Sequence, residues 1–309
     1  MAHSFQENDA AMFRRYYFHI SWFLPLLLYS KDACAWGLFT HTYFAQLLIW
    51  GIPITDRRIR SAIRKFPELL LAGACLPDLS MFGKKAGTAA FEVTHRWESA
   101  KHLLDCAKKD EERALAAGYC SHLFVDIIAH NHFVPAHERM WGEFHLVTHA
   151  VCEWAMDAYI FPQLFHFPDK LLLKHRKTLC EYASEKFGTE YGMAEKSLRY
   201  LAYGVKGLRM GMIPQLCYHG AKGLDQRLTK RFNYYMRETG SRLAQINRIL
   251  EGEAPAWHAE LHGEEVERET RARIGSIARQ ELIHRVPLPG NLFQPDPPIL
   301  SSVSAHRTA

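Results

Sequence analysis

Residues 118–133, GYCSHLFVDIIAHNHF, set His122, Asp126 and His130 at i, i+4 and i+8. Residues four apart on an α-helix lie one above the other, so this stretch projects two imidazoles and a carboxylate from one face. A second pair, His149 and Glu153, repeats the same step. Neutral imidazole and carboxylate are the donors that catalytic zinc sites use, and facing helices of a bundle can converge such donors on one point. Eight of the 18 histidines fall between His95 and His149, where an even spread would put about three. Burying so many titratable groups without a metal would be costly. His102 and His137 read as ordinary surface or core residues, and His145, one turn before His149, as a core residue or a support for it.

Working outward, apolar residues recur at three- and four-residue spacing over 38–50, 57–72, 97–131, 139–161, 169–185, 193–210, 225–250 and 256–284. No segment reads as a strand, so the expected fold is all-α. Breaks fall at Gly51-Ile52-Pro53, Pro77, Pro135 and Gly188. Residues 225–284 are richly charged and read as amphipathic helices with solvated faces. The Pro- and Ser-rich stretch over 286–309 is expected to be disordered. There is no internal repeat and no Gly-rich phosphate loop.

Residues 1–35 read as a signal peptide. Arg14 and Arg15 precede the apolar run YYFHISWFLPLLLY at 16–29, and Ala33-Cys34-Ala35 offers a small-residue cleavage site before Trp36. The run is short for a membrane span, which needs about 20 residues; an uncleaved anchor is the alternative. Cleavage leaves 274 of the 309 residues, enough for one helical domain over 36–285. Its six cysteines are scattered without a C-x-x-C pair, so neither a thiolate zinc knuckle nor a readable disulfide framework is indicated. The formal charge of +5 permits attraction to phosphates or anionic membranes, but no long basic run gathers it.

Three further candidates stand upstream: W-G-L-F-T-H at 36–41, Asp78 in GACLPD, and His95 in VTHRW. In this order of residue types, over residues 36 to about 160, the chain resembles the zinc-dependent phospholipase C family and its relatives, the fungal single-strand nucleases. That resemblance implies an all-helical fold and about three zinc ions. It implies one zinc on Asp78, His95, His122 and one oxygen of Asp126. A second would lie on His130 or His132 with His149 and Glu153. A third would take the free amine and carbonyl of Trp36, His41, and the other Asp126 oxygen. An amine donates to metal only if it ends the chain, so Trp36 after a cleavage site links export to metal assembly. Helix continuity favours His130, since no Pro or Gly intervenes and i, i+4 spacing keeps it on the Asp126 face; His132 points away unless the helix ends at Asn131. Asp78 is the candidate catalytic residue, orienting the attacking water or accepting its proton.

The implied activity is phosphodiester hydrolysis outside the cytoplasm, in the periplasm or as a secreted protein. The expected substrate is phospholipid at a membrane surface, released as diacylglycerol and a phosphorylated head group. Glu153 follows the phospholipase pattern, whereas the nucleases usually carry Asp there; the W-G-x-x-x-H spacing fits the nucleases too. Nucleic acid is a partner only under that alternative, and no stable protein partner is implied. A membrane-tethered helical protein with purely structural zinc is the third reading.

Overall fold

A computed structural model describes residues 37–141, 145–259, 264–277 and 288–294 of the chain. Among them there is no strand. The first helix, α1 (Leu38–Trp50), occupies the expected 38–50. Helix α2 (Arg57–Lys65) starts where Asp56 accepts hydrogen bonds from the amides of Arg58 and Ile59, at 2.7 and 2.8 Å, satisfying two otherwise orphaned donors. The single helix expected over 57–72 is split, because Pro67 disfavours a helical Phe66 (φ −129°, ψ 56°) and opens α3 (Pro67–Gly73) instead. A turn at Pro77–Leu79 leads into α4 (Ser80–Ala86), a helix that periodicity did not suggest.

The expected 97–131 helix also divides, into α5 (Trp97–Asp105) and α6 (Asp110–Ile128). The restart has a local cause. Asp110, Glu111 and Glu112 fill the first turn of α6, where negative charge meets the positive end of the helix dipole. The Glu112 carboxylate also reaches back to accept from the Lys108 and Lys109 amides at 2.7 and 3.2 Å.

Helix α6 is the axis of the molecule, buried at every residue from Ala114 to Ile128 and packed by α1, α2, α3 and α5. It meets α3 backbone to backbone. A Cβ at Gly118 would lie 1.9 Å from the Leu70 carbonyl oxygen, and one at Gly73 would lie 2.3 Å from that of Leu115. Only glycine permits this crossing.

Beyond α6 the chain makes a π turn at Ala129–Phe133 and runs into α7 (Val134–Trp141). Pro135 has no amide hydrogen for the Asn131 carbonyl four residues earlier, and the Arg273 guanidinium takes that carbonyl instead. Helix α8 (His145–Ile160) follows and packs on α1 and α7.

The remaining helices enclose this centre. They are α9 (Pro168–Lys174), α10 (Arg176–Phe187), α11 (Tyr191–Met210), α12 (Ile213–Leu224), α13 (Leu228–Arg242), α14 (Ile246–Leu250) and α15 (Glu264–Gly275). One buried core runs from Leu38 to Leu292. The tail expected to be disordered from residue 286 is held over 288–294. Arg242 donates to the carbonyls of Pro289 and Leu288 at 2.6 and 3.0 Å, Gln245 brackets Gly290 and Leu292, and Leu292 is fully buried. Its apolar residues outweigh the local proline content. The expected leader and the last residues of the tail lie outside the described residues. No helix among the described residues is long and apolar enough to cross a membrane.

Candidate metal centre

Six separate segments deliver the candidate ligands to the heart of the fold. His41 projects from α1, Asp78 from the Pro77–Leu79 turn, His122 and Asp126 from α6, and all four are about 1% exposed. His95 comes from an irregular loop that two contacts tie down. The Thr94 hydroxyl donates to the Pro77 carbonyl at 2.7 Å, fastening the loop to the Asp78 turn, and the Tyr119 hydroxyl donates to the Thr94 carbonyl. The glycine crossing then sets the register of His122: it brings the Ala74 carbonyl of the turn after α3 to 2.8 Å from His122 Nδ1.

A carbonyl can only accept, so His122 Nδ1 carries a proton, and the ring turns Nε2 inward, a lone-pair donor whenever the imidazole is neutral. That nitrogen faces Asp126 Oδ2 at 2.9 Å, His95 Nε2 at 3.3 Å and Asp78 Oδ1 at 3.7 Å. His95 Nε2 lies 3.7 Å from both Asp78 Oδ1 and Asp126 Oδ2. Asp126 turns its other oxygen, Oδ1, toward His41 Nε2 at 3.3 Å. The donor atoms form two overlapping sets, His41–His122–Asp126 and Asp78–His95–His122, each within 4.8 Å.

Metal-ligand atoms from separate elements thus crowd one another with few other partners. Both Asp126 oxygens, His41 Nδ1 and His130 Nε2 are buried with no hydrogen-bond partner among the described residues. Orphaned buried acceptors at this density are a cost that a cation among them removes, and the donor set suits zinc. The protonation states agree with crowded negative charge. Burial works first against ionising Asp126, yet the His122 and His41 charges outweigh it and hold the carboxyl well below its usual range. Asp78 is likewise lowered, with burial overcome chiefly by His122. Burial disfavours a charged His122, but Asp126 and Asp78 raise it. For Glu153, burial and then the carboxylates of Asp157 and Asp78 push the pKa well above normal.

His130 and His149 meet with ring centroids 5.7 Å apart, and His149 Nε2 is 2.6 Å from Glu153 Oε1. Burial drives His130 well below its normal pKa. His132 faces elsewhere. Its ring packs 5.2 Å from that of Trp257, with Nδ1 3.5 Å from the Arg273 guanidinium. His137 donates from Nδ1 to the Phe133 carbonyl at 2.7 Å within an aromatic core, where burial takes its pKa down to about 3. His102 lies on the surface of α5. Trp36 lies outside the described residues, as does the side chain of His145.

Asp157 was not among the sequence candidates, although it continues the His149, Glu153 stripe by one more turn. It accepts from the Thr40 amide at 2.9 Å and the Thr40 hydroxyl at 2.8 Å, one residue before His41. A Cβ at Gly37 would fall 1.9 Å from its Oδ2, so this carboxylate demands the glycine that begins the chain's approach to α1. Burial pushes its pKa up to about 7 despite those hydrogen bonds.

Residues 40–194 match a protein family described as zinc dependent phospholipase C. No curated protein and no solved structure matches the chain.

Proposed function

The chain belongs to the zinc-dependent phospholipase C family, and from that premise we propose that it is an exported phospholipase C. The reaction cleaves a phospholipid to diacylglycerol and a phosphorylated head group. The observation that carries this reading is the convergence of donor atoms in two buried sets, His41–His122–Asp126 and Asp78–His95–His122, each within 4.8 Å, with both Asp126 oxygens lacking a hydrogen-bond partner among the described residues. Asp78, His95, His122 and Asp126 Oδ2 would hold one zinc. His41, Asp126 Oδ1 and the amine of Trp36 would hold another, and His130, His149 and Glu153 a third.

Zinc there supplies Lewis acidity, lowering the pKa of a water toward about 7 and offsetting charge on the phosphodiester oxygens. The protein's own groups do the rest. Asp78, held ionised, accepts a hydrogen bond from the attacking water and orients it. The Ala74 carbonyl fixes the His122 tautomer, and fixed outer partners of this kind govern ligand orientation and basicity. Asp126 turns one oxygen to His122 and the other to His41, so it would contribute to both of the sites these histidines would serve.

Glu153, the last residue of the ligand series, favours lipid over nucleic acid as substrate. The test is hydrolysis of phosphatidylcholine and of single-stranded DNA by the purified mature protein. Release of phosphocholine with intact DNA supports the proposal; cleavage of DNA with intact lipid replaces it with the nuclease reading.

A further inference from the structure

Three neighbouring helices together carry a strong positive charge. Helices α4, α11 and α12 hold seven basic residues and one acid, Glu195, a net of +6 against +5 for all 309 residues. The sequence disperses these residues over 80–224, and the fold gathers them, because α11 packs on both α4 and α12. Lys84 and Arg209 are neutralised by Glu92 and Asp169, at 3.3 and 2.7 Å. Lys85, Lys196, Arg199 and Lys206 have no carboxylate partner among the described residues.

The outward face of α11 is also apolar in an unusual way. Its inward face is Leu198, Leu201, Ala202 and Val205, all buried. At helical spacing opposite them stand Tyr200 and Tyr203, 39% and 48% exposed, and Met210, 68% exposed. The cations lie over these rings: Lys85 is 5.4 Å from the centroid of Tyr200, and the Arg199 guanidinium is 5.8 Å from that of Tyr203. At the α11–α12 corner, Met212 is 58% exposed and is the one described non-glycine residue with positive φ, at 55°. Such a backbone conformation is costly for a methionine and persists where its surroundings impose it.

We propose that this face docks on an anionic lipid bilayer, with Tyr200 and Tyr203 at head-group level, Met210 and Met212 entering the acyl boundary, and the four cations on lipid phosphates. Amphipathic aromatics and Lys/Arg around an exposed apolar strip are the composition of interfacial binders. The placement serves the site. Helix α4 follows the Asp78 turn, and α12 packs on α8, which carries His149 and Glu153, so the docking helices abut the ligand-bearing elements on two sides. The value of docking rests on the phospholipase reading, but its existence does not.

The experiment is co-sedimentation of the zinc-loaded protein with phosphatidylcholine vesicles, with and without phosphatidylglycerol, both lipids as cleavage-resistant phosphonate analogues. Turnover of a soluble nitrophenyl phosphodiester is measured in parallel. Binding is expected only with the anionic lipid. Lys196→Gln/Lys206→Gln should weaken it roughly 25-fold, two charges at roughly fivefold each, with soluble turnover unchanged. Met212→Gly should weaken it without lowering the melting temperature, since glycine accepts the positive φ. Absence of vesicle binding, binding indifferent to phosphatidylglycerol, or undiminished binding by these variants would overturn the proposal. So would a loss produced instead by Trp50→Ala, an exposed aromatic on α1 outside these three helices, or binding to single-stranded DNA in place of vesicles. Vesicle binding is read without turnover, so failure of the phospholipase reading and failure of the docking face give different results.

Discussion

The crossing of α3 and α6 makes Gly118→Ala the most informative single substitution outside the ligands. The new Cβ would sit 1.9 Å from the Leu70 carbonyl oxygen, where ordinary contact begins near 3.4 Å, so the helices must part by 3.4 − 1.9, about 1.5 Å. Both groups are backbone, and no rotamer change relieves the clash. The Ala74 carbonyl follows directly on α3 and rides with it. Moved outward by that amount, its 2.8 Å hydrogen bond to His122 Nδ1 opens to about 4.3 Å and is lost.

Overpacking of this kind costs about 1–3 kcal/mol and the buried hydrogen bond about 1 more, while alanine recovers about 1 kcal/mol of helix propensity. The net is a loss of about 2 kcal/mol, or ~4–8 °C in melting temperature for a chain of this size. Freed of its carbonyl, His122 should bind zinc ~10–100-fold more weakly. Calorimetry and a competitive chelator titration measure both effects. Gly220→Ala on α12, where nothing lies within 4 Å of the added Cβ, is the control and should be neutral or slightly stabilising. If Gly118→Ala melts with the wild type and keeps its zinc affinity, the crossing does not set His122 and the reasoning fails.

Three further outcomes are expected. Asp126→Asn should abolish hydrolysis more completely than His41→Ala, because Asp126 faces both donor sets and His41 only one; near-complete rescue of Asp126→Asn by excess zinc would contradict its bridging role. His130→Ala should lower zinc content while His132→Ala, whose ring rests against Trp257 and Arg273, should lower stability and leave zinc in place, as elemental analysis beside a melting curve will tell. A chain beginning at Trp36 should be active and one beginning at Lys31 should lose zinc and turnover, since an amide nitrogen has no lone pair to give; equal zinc in both would make Trp36 a core aromatic.

What could be read in advance followed the range of the forces involved. The i, i+4 steps from His122 to Asp126 and from His149 to Glu153 are properties of a single helix, and the structure keeps each pair on one face. Helix α1 matched its expected limits because Gly37 and Gly51 bracket it locally. Asp78 and His95 sit on a turn and a loop with no periodicity of their own, so only resemblance to a family could single them out. The contrast between His130 and His132 depends on a π turn and on Arg273, which lies 141 residues further along from His132. The Gly73–Gly118 contact and the basic face of α4, α11 and α12 are tertiary facts, invisible in a pattern of spacing. Leu292 shows the reverse error: local proline content argued for disorder, and burial of a few apolar groups decided otherwise.

In the proposed centre Asp126 would stand between clustered zinc ions. The most direct test of this is the zinc content of the mature protein after gentle dialysis, determined by elemental analysis on an active preparation and set beside that of Asp126→Asn. About three zinc per chain, falling by at least one in the variant, is expected; one zinc or none in an active wild-type preparation would contradict the bridging role of Asp126.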